Sequence, residues 1–543
     1  MATRTSAKRR KSALDTDHAT IAQCLWERAA GNPDEILYRF QDEEALSIGV
    51  LADDVRSLAA SLFRLGLVQG DAIGFQLTNC RAAIVINAAA AALGLTVVPI
   101  PPRYRSHEIS FILRDAKVQL LFAGPQSAAL RFLPPLLSKP SDMPELRHVF
   151  TVECSDTAFP AYEDLLAAGR GKTVTCPTIA ADDRKVILYT AGTSGRAKGV
   201  IHSHRSAAHS AVSSVVPWSI TSMDVMLAGS SVAHVTGYMC GLELALRGNL
   251  SMVMLREWDA AIAVDTIEAL EVTCTVGSTP LLSSLLDEAE RRGAHLPSLR
   301  FYACGGVAIP PSLIYRASRL TAGCRAFRVY GATEVPMATK GFLGPDELAL
   351  AAETDGRIVN YDVRVILPDG TDALIARPGE ILLRGPGMMI GYTDAEETRA
   401  AVDEDGFYHT GDIGYLTADD AVVVTGRSRD LIVRAGEKLS PKEIEEALER
   451  HPAIAAAAIV AMPHPSLGEV PCAFLETSDG AAALGLHEIA AYLRHQGLVP
   501  EKFPERIEYV SRLPRTASGK LRKEPLRRAI AAPIALHYSD QFS

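Results

Sequence analysis

Apolar positions in the first third of the chain alternate between two spacings. Leu58, Leu62 and Leu65 recur at helical intervals, and the following Gly66 is where such a helix would end. The five residues from Val118 to Phe122 are apolar except for Gln119, which is typical of a buried strand. Helices and strands that alternate in this way predict an α/β fold with largely parallel sheets.

The stretch from Ala82 to Pro102 contains no charged residue over 21 positions and raises the question of a membrane span. It is dominated by alanine, whose small side chain contributes little favourable free energy on transfer from water into lipid. The pattern instead predicts a buried helix up to Leu93, a turn at Gly94 and a short strand over Leu95–Pro99. No membrane span is predicted.

From about Val363 the pattern changes to short strands separated by glycine and proline turns, which indicates an antiparallel or barrel-like element. The sequence Ser440-Pro-Lys-Glu443 predicts a capping box at the start of a helix in a final, small α+β unit. We expect a boundary near Arg427–Asp430. The predicted organisation is a disordered tail over residues 1–18, a large domain over 19–428 and a small domain over 429–543.

Composition narrows the function classes. The 543 residues carry 55 basic and 64 acidic side chains, a net charge of −9, which argues against a nucleic-acid partner. Nine cysteines without a Cys-x-x-Cys pair favour a reducing compartment, and we expect a cytoplasmic protein. The basic N-terminus has no apolar run behind it, so a secretory signal is not predicted.

The segment from Val186 to Val200 carries the first chemical signal, because an apolar strand leads into the sequence Thr-Ala-Gly-Thr-Ser-Gly-Arg-Ala-Lys-Gly. Small residues let backbone amides face a polyanion, while hydroxyl groups and Lys198 add donors and charge. The spacing is not that of a Walker loop or a hydrolase nucleophile elbow. A surface turn rich in glycine and serine is the alternative interpretation.

This segment resembles the phosphate-binding signature of the adenylate-forming superfamily, which comprises acyl-CoA synthetases, peptide-synthetase adenylation domains and luciferases. Further segments resemble its other signatures, in the same order: Tyr330-Gly-Ala-Thr-Glu334, Tyr408-His-Thr-Gly-Asp412, Gly426-Arg-Ser-Arg-Asp-Leu-Ile with Gly436-Glu-Lys-Leu-Ser, and Pro514-Arg-Thr-Ala-Ser-Gly-Lys520. The likeness covers Ile21 to Arg527. It implies a large N-terminal domain of mixed parallel sheets with helices and a barrel-like β element, and a small mobile α+β C-terminal domain.

The resemblance also implies the cofactors ATP, Mg²⁺ and coenzyme A and a role for each signature residue. Lys520 would bridge the acid and the α-phosphate, Thr193 and Lys198 would hold the departing phosphates, and Glu334 with Thr193 would hold Mg²⁺. Arg429 would be the hinge, where the family commonly has Asp or Lys. The residues expected to bind nucleotide or coenzyme A are Thr190, Ser194, Gly195, Gly305, Gly306, Val307, Tyr330, Gly331, Ala332, Thr333, Asp412, Arg427, Gly436 and Lys438. Tyr330 would offer a stacking face to adenine, and Asp412 and Arg427 would hold the ribose hydroxyls.

The segment Ser231–Gly241 resembles the helix that forms one wall of the acyl pocket. Amino-acid-activating relatives usually have an aspartate there, and its absence disfavours an amino-acid substrate, since a buried cation without a partner is costly. Small residues leave room and apolar ones form walls, which predicts an aryl, alicyclic or medium-chain carboxylic acid. The expected substrate-binding residues are His234, Val235, Gly237, Tyr238, Met239, Gly277, Ser278 and Met337. The alternative is that His234 and Met239 are ordinary core residues.

Coenzyme A is the expected acceptor, and Gly436 would let its pantetheine arm pass close to the backbone. A carrier protein as acceptor, catalysis of the thioester-forming half-reaction alone, a nucleotide-binding pseudoenzyme and a luciferase-like oxygenase remain alternatives. A monomer or homodimer is expected.

The histidines at 202, 204 and 209 lie near the phosphate loop, but they lack carboxylate or thiol companions and do not predict a metal site. The spacing of His202 and His204 fits a strand with both side chains on one face. We expect His204 to pack beside the nucleotide loop.

Overall fold

The computed structural model describes most of the chain and shows the predicted α/β architecture. The described residues are 20–41, 43–131, 133, 143–154, 158–190, 197–306, 309–321, 323–434, 437–464, 467–516 and 519–531. At residues 429, 437, 438 and 531 the description covers the backbone alone. The predicted tail of residues 1–18 lies outside this part of the chain.

The strands follow the predicted alternation in the first part of the chain and cluster towards its end. In chain order they are β1 (Ile36–Phe40), β2 (Leu46–Ser47), β3 (Ala72–Gln76), β4 (Thr96–Pro99), β5 (Val118–Ala123), β6 (His148–Thr151), β7 (Arg184–Thr190), β8 (Lys198–Ser203), β9 (Val225–Ala228), β10 (Ser251–Met254), β11 (Cys274–Gly277), β12 (Phe301–Cys304), β13 (Arg325–Arg328), β14 (Asp362–Ile366), β15 (Gly379–Arg384), β16 (Gly391–Tyr392), β17 (Tyr408–Leu416), β18 (Val422–Arg427), β19 (Ile432–Arg434), β20 (Glu437–Leu439), β21 (Ile454–His464), β22 (Gly468–Thr477) and β23 (Arg506–Tyr509).

The helices connect these strands. In chain order they are α1 (Ile21–Gly31), α2 (Ile48–Arg64), α3 (Arg81–Leu93), α4 (Ser106–Asp115), α5 (Tyr162–Gly169), α6 (His204–Val212), α7 (Leu244–Gly248), α8 (Ala260–Ala269), α9 (Thr279–Arg292), α10 (Pro311–Leu320), α11 (Leu348–Glu353), α12 (Ala395–Ala401), α13 (Pro441–Leu448), α14 (Leu486–His495) and α15 (Lys523–Ala531). A π-helix spans Gly237–Glu243, and short 3-10 helices span Ser428–Asp430 and Pro500–Lys502.

Two seven-stranded sheets build the larger part of the molecule. Their strand orders are β13-β12-β11-β9-β10-β1-β2 and β16-β8-β7-β4-β3-β5-β6. Neighbouring strands run parallel except in the pairs β1–β2, β7–β8 and β8–β16. Helices α2 and α3 and the π-helix contribute to one core cluster with strands of both sheets, so they lie where the two sheets meet.

The later part of the chain is richer in antiparallel pairs, as its turn pattern predicts. Strands β14, β15, β17 and β18 form a four-stranded antiparallel sheet in that order. The end of the chain forms a separate sheet with the path β20-β19-β22-β21, and β23 pairs parallel with β22. The predicted domain division after residue 428 falls within the 3-10 helix Ser428–Asp430 and stays a prediction.

The alanine-rich stretch folds as its pattern predicts. Helix α3 ends at Leu93, Gly94 follows with a left-handed φ of +69°, and β4 comes next. Every residue from Ala82 to Leu93 is buried, because α3 contributes to the core between the two sheets. In the part of the chain that the structure describes, no helix is long and apolar enough to cross a membrane.

The predicted capping box at the start of α13 is wrong. Ser440 occupies the N-cap position and Pro441 the first helical position, but the Ser440 side chain makes no capping hydrogen bond. Its Oγ instead donates to the carbonyl oxygen of Thr425 in β18, at 2.5 Å. The serine hydroxyl therefore connects α13 to the neighbouring sheet.

Candidate active site

The predicted phosphate loop connects β7 to β8, which pair as antiparallel neighbours. Thr190 is the last residue of β7 and lies opposite Lys198, the first residue of β8. Strand pairing therefore holds the two ends of the loop side by side. Thr193, Ser194 and Gly195 lie outside the described residues, so their contacts with phosphate stay predictions.

Lys198 has an acidic partner that the sequence did not indicate. Its Nζ lies 3.3 Å from Oε1 of Glu397, in the first turn of α12, and 5.1 Å from the ring centre of Tyr392. Both members of the ion pair are partly exposed, so the pair is weak. Phosphate oxygens carry more charge than one carboxylate, and Lys198 can exchange Glu397 for them.

Glu334 is held by a tyrosine from another strand. Its side chain is almost buried, and the hydroxyl of Tyr392 in β16 donates to Oε1 at 2.7 Å. The hydroxyls of Tyr392 and Tyr408 lie 3.5 Å apart. Burial and the charge of Glu334 raise the pKa of Tyr392 well above its usual value, so this tyrosine stays protonated as a donor. Among the described residues, Oε2 of Glu334 accepts no hydrogen bond and is available to a ligand.

Tyr330, Asp412 and Arg427 form a second polar cluster. The hydroxyl of Tyr330 donates to Oδ2 of Asp412 at 2.7 Å, and Nε of Arg427 lies 2.9 Å from Oδ1. Asp412 and Arg427 face each other across the antiparallel pair β17–β18. Burial and Asp412 raise the pKa of Tyr330 well above its usual value, so its hydroxyl remains a donor. Each carboxylate oxygen keeps a further lone pair that a ribose hydroxyl can use.

The motif from Tyr330 to Glu334 rests on a buried histidine. Nε2 of His202 lies 2.7 Å from the carbonyl oxygen of Thr333, and Nδ1 lies 3.1 Å from Oγ of Ser206. Burial lowers the pKa of His202 to about 4, so the ring is neutral and donates from Nε2 to the carbonyl. Within the motif, the backbone groups of Ala332 and Val335 bond to each other at 3.1 and 3.2 Å. The hydrogen bond from His202 to the Thr333 carbonyl thus helps to hold the backbone of the motif in place.

The expected arrangement of His202 and His204 is wrong. Strand β8 ends at Ser203 and helix α6 begins at His204, so the two residues do not share one strand face. The side chain of Ser203 caps α6 by accepting from the backbone of Ser206, which explains why the strand stops there. No group of three metal-binding side chains occurs among the described residues.

Of the segment Ser231–Gly241, predicted as one wall of the acyl pocket, the last five residues lie in a π-helix, a form that often marks functional positions. Its glycines are not equivalent. An ideal Cβ on Gly237 would lie 2.0 Å from the carbonyl oxygen of Ser231, whereas on Gly241 the nearest atom, in Met254, would be 3.7 Å away. On Gly277 it would lie 2.2 Å from the hydroxyl of Tyr302. Close packing therefore accounts for Gly237 and Gly277, while Gly241 leaves space.

Of the other residues expected in the wall, some lie in the hydrophobic core and others are partly exposed. Tyr238 and Met239 are completely buried in the core, and the Tyr238 hydroxyl donates to Oδ1 of Asn87 at 2.6 Å. The burial of Met239 agrees with the alternative interpretation of that residue as an ordinary core residue, whereas His234, named with it, is not fully buried. His234 is partly exposed, with Nε2 at 3.4 Å from a guanidinium nitrogen of Arg103. Burial and Arg103 lower the pKa of His234 to about 4, so it is neutral at physiological pH. Val235 packs against the same core at its margin.

The segment expected beside the nucleobase lies where β12 ends. The backbone amide of Gly305 donates to the carbonyl of Gly277 at 3.0 Å, and Gly306 has a left-handed φ of +85°. Ser278 is the N-cap residue of α9, directly beyond β11. The third residue of the expected base-binding segment, Val307, lies outside the described residues.

The loop of the predicted catalytic lysine reaches the same region. Gly519 has a φ of +82°, and an ideal Cβ there would lie 2.3 Å from Cγ of Pro280, in the first turn of α9. The neighbouring Lys520 is exposed, and its backbone amide donates a hydrogen bond to Oγ1 of Thr516 at 3.0 Å. The loop thus lies next to Ser278. The Gly436 position and the side chains of Arg429 and Lys438 lie outside the description.

Family profiles match both parts of this arrangement. A profile described as AMP-binding enzyme matches residues 25–393, and one described as AMP-binding enzyme C-terminal domain matches residues 443–520. The chain belongs to the AMP-binding enzyme family. It is an ATP-dependent, AMP-forming acyl-CoA synthetase of the adenylate-forming superfamily, which confirms the resemblance seen in the motifs.

Named relatives of this AMP-binding enzyme extend over most of its length. A medium-chain fatty-acid–CoA ligase of Escherichia coli is 30% identical over 526 residues, 94% of this chain and 90% of the relative. A methyl-dioxo-octahydroindenyl propanoyl:CoA ligase of Mycobacterium tuberculosis is 33% identical over 492 residues, 88% of this chain and 92% of the relative. The crystal structure of ATP-bound MatB from Rhodopseudomonas palustris has a TM-score of 0.84 at 24% identity, covering 94% and 99% of the two chains, and supports the fold.

The family uses ATP, Mg²⁺ and coenzyme A, and the residues around Glu334 fit a magnesium ion. Mg²⁺ prefers hard oxygen ligands and is usually held by one or two carboxylates together with substrate phosphates. Glu334 offers such an oxygen in Oε2, while Tyr392 fixes the other oxygen. When bound, the ion neutralises phosphate charge.

Proposed function

We propose that this acyl-CoA synthetase activates an aryl, alicyclic or medium-chain carboxylic acid with ATP and transfers the acyl group to coenzyme A. The observation that carries this proposal is the contact between Gly519 and Pro280, which brings the Lys520 loop next to Ser278. Lys198, Glu334 and Asp412 supply the charged groups for the nucleotide. The signatures for both steps are therefore present in one chain.

In the first step, a carboxylate oxygen of the acid attacks the α-phosphorus of ATP. The new P–O bond forms as the bond to the β-phosphate oxygen breaks, and that oxygen leaves with the electron pair as pyrophosphate. A carboxylic acid is ionised at neutral pH, so the step needs no general base. The protein positions the reactants and neutralises charge: Lys520 between acid and α-phosphate, Lys198 and Thr193 at the departing phosphates.

The nucleoside is held by the second polar cluster. In this proposal the Asp412 carboxylate accepts hydrogen bonds from the ribose hydroxyls, and Arg427 and the Tyr330 hydroxyl hold that carboxylate in place. The Tyr330 ring borders the adenine, with Gly305, Gly306 and Val307 along the base. His202 keeps the Tyr330–Glu334 motif in position through the Thr333 carbonyl.

In the second step, the sulfur of coenzyme A attacks the carbonyl carbon of the acyl-adenylate. The C–S bond forms, the bond to the phosphate oxygen of AMP breaks, and the thiol proton passes to the solvent. Here the small C-terminal domain rotates about Arg429, Lys520 withdraws, and the backbone at Gly436 borders the pantetheine path. Closing the site protects the adenylate from water.

The acid class is supported by the chemistry of the acyl side and by the relatives. His234 is neutral, no aspartate stands in the π-helix, and the Glu243 carboxylate of that helix is already paired with Lys185 and Arg247. A substrate ammonium group would therefore have no available partner there. The relatives are named for a medium-chain fatty acid, an alicyclic propanoyl group and indoleacetate. All three are uncharged beyond the reacting carboxyl group.

A carrier protein in place of coenzyme A is the second candidate. It is favoured by a 2,3-dihydroxybenzoate-AMP ligase of Bacillus subtilis, 31% identical over 481 residues, whose name specifies adenylation alone. We place the enzyme in the cytoplasm because all nine of its cysteines are unpaired.

Acid-dependent exchange of pyrophosphate into ATP, measured over a panel of aryl, alicyclic and medium-chain acids with Mg²⁺, tests the first step. We expect exchange with at least one class and release of AMP when coenzyme A is added. Thioester formation from a supplied acyl-adenylate without any exchange would show that this chain performs the second step alone. Exchange without transfer to coenzyme A would favour the carrier protein.

The acceptor is tested with Gly436→Leu, which would fill the proposed pantetheine path. We expect pyrophosphate exchange at the parent rate and little thioester from pre-made adenylate. Exchange serves as the internal control for folding and for nucleotide binding. Acyl-CoA formed at the parent rate would contradict the path.

A further inference from the structure

A buried lysine, Lys340, lies on the acyl side of the site, outside every family signature. Lys340 is 1% exposed and follows Met337 by three residues. Its Nζ donates to the carbonyl oxygen of Met337, and its backbone is anchored by the Trp218 ring nitrogen and by Arg357. In the part of the chain that the structure describes, that carbonyl is the one acceptor of this ammonium group.

The position of Nζ follows from its neighbours. Met337 packs against Gly331, where an ideal Cβ would lie 2.7 Å from the Met337 backbone nitrogen, so Met337 borders the nucleotide motif. The ammonium group donates to the Met337 carbonyl and is near the neutral thiol of Cys240, which is in the π-helix. Nζ is therefore placed between Met337 and the π-helix, the two walls expected for the acyl group.

Three features show that this arrangement is energetically unfavourable. A buried ammonium group normally has a carboxylate or several acceptors, and Lys340 forms no ion pair with a described residue. Burial lowers the pKa of Lys340 to about 7. Met337 has a φ of +55°, a left-handed conformation that is unfavourable for a long side chain and that turns its carbonyl towards Nζ. Costs of this kind concentrate at functional sites.

We propose that Lys340 is a specificity-determining residue whose ammonium group binds an acceptor oxygen at the far end of the acid substrate. This inference rests on the proposed function and makes it narrower: the preferred acid carries a keto or carboxylate oxygen at the end remote from the reacting carboxyl group. The substrate oxygen supplies a second acceptor beside the carbonyl of Met337. A carboxylate would offer the ammonium group a full negative charge, whereas a ketone would offer only a dipole. The experiment below compares oxo and carboxy acids and so distinguishes the two.

Initial rates of acyl-CoA formation are compared for acids matched in length and shape. One series is octanoate, 7-oxooctanoate and octanedioate; the other is 3-cyclohexylpropanoate, its 4-oxo derivative and its 4-carboxy derivative. A hydrogen bond to a charged group contributes about 1.5–3 kcal/mol, so we expect kcat/KM to favour the oxo or the carboxy acid by about 10-fold or more in one series. The preferred arm identifies the acceptor.

Lys340→Met removes the ammonium group at similar volume and should abolish this preference while retaining the apolar acid. The ratio of two kcat/KM values does not depend on the amount of folded enzyme. Lys185→Met is the matched control: Lys185 is equally buried, but its Nζ lies 3.0 Å from Glu243, which keeps Arg247 at 3.1 Å. The ratio should be unchanged in that control.

A wild-type ratio below about 10 in both series, or a ratio that Lys340→Met leaves as it was, overturns the proposal. If Lys340→Met does not fold, Lys340→Gln serves, and if neither folds the wild-type ratio decides. Thioester from the apolar acids alone contradicts the role of Lys340 only. No thioester from any of the six acids contradicts the medium-chain and alicyclic classes of the proposed function instead.

Discussion

The nucleotide side and the acyl side of the site are built on different principles. On the nucleotide side, charged groups are paired in advance: Asp412 with Tyr330 and Arg427, Glu334 with Tyr392, and Lys198 with Glu397. On the acyl side, the π-helix packs by close backbone contacts and buried side chains.

The difference shows which part of the site is fixed by shared chemistry. In the proposed assignment, the preformed polar clusters would face the charges of the triphosphate and the hydroxyl groups of the ribose, which are the same whichever acid is activated. The acyl side must fit one particular acid, so small changes in packing alter it. Substitutions on the two sides should therefore affect different kinetic quantities.

The largest effect is expected at Lys520, where the two sides meet. Lys520→Ala should lower adenylation by about 10²-fold or more, because it removes a positioned charge at the reacting phosphate. Thioester formation from pre-made adenylate should stay near normal. Both steps are measured separately, by pyrophosphate exchange and by thioester formation. A similar loss in both steps would contradict a role confined to adenylation.

Asp412→Asn should raise KM for ATP by about 10- to 100-fold, because the ribose and Arg427 both lose a charged acceptor. The order of preference among acids should not change. Asp372→Asn is the matched control, since Asp372 forms an exposed ion pair at 2.8 Å with Arg364, at the far edge of the same four-stranded sheet. A changed acid preference in Asp412→Asn would break the separation of the two sides.

Gly237→Ala and Gly241→Ala compare two positions within the π-helix. The first should cost about 1–3 kcal/mol of unfolding free energy, because the added Cβ meets the Ser231 backbone. The second should leave stability nearly unchanged and shift the preference from bulky to slender acids. Thermal unfolding and kcat/KM for acids of two widths measure both effects. Equal destabilisation would show that Gly241 is also a packing residue.

The smallest effect is expected at Glu397. Glu397→Gln removes the partner of Lys198 without touching the nucleotide, and KM for ATP should fall by up to about fivefold, the range of a partly exposed ion pair. Glu396→Gln is the matched control, because that neighbour pairs with Arg399 instead. An increase in KM would show that Glu397 helps to bind the nucleotide.

Sequence patterns predicted much of the fold because local preferences and burial agree in it. Helix α3, Gly94 and β4 follow directly from one apolar run and one glycine. The motifs likewise brought Lys198, Glu334 and Asp412 to attention, since their residue types and order are tied to nucleotide chemistry. Family membership and the α/β fold are confirmed, while the individual roles stay predictions.

The partners of these residues were not predictable. Glu397, Tyr392 and His202 come from distant segments and contact the motifs only in the folded chain. The capping box failed at Ser440 for the same reason, because a carbonyl of another sheet competes for its hydroxyl. The sequence did not single out Lys340, because the argument for it depends on its burial without a carboxylate partner among the described residues.

Strand β18 is the edge strand of the four-stranded sheet, and side chains from other segments form hydrogen bonds with its outer edge. Asp355 accepts from the amide of Val424, while Lys442 and Ser440 donate to the carbonyls of Val424 and Thr425. An uncovered edge strand is a template for pairing with another chain. The part of the chain after residue 428, which contains the predicted catalytic Lys520, thus also covers the edge of the neighbouring sheet. We expect a chain cut after residue 428 to expose this edge strand and to aggregate.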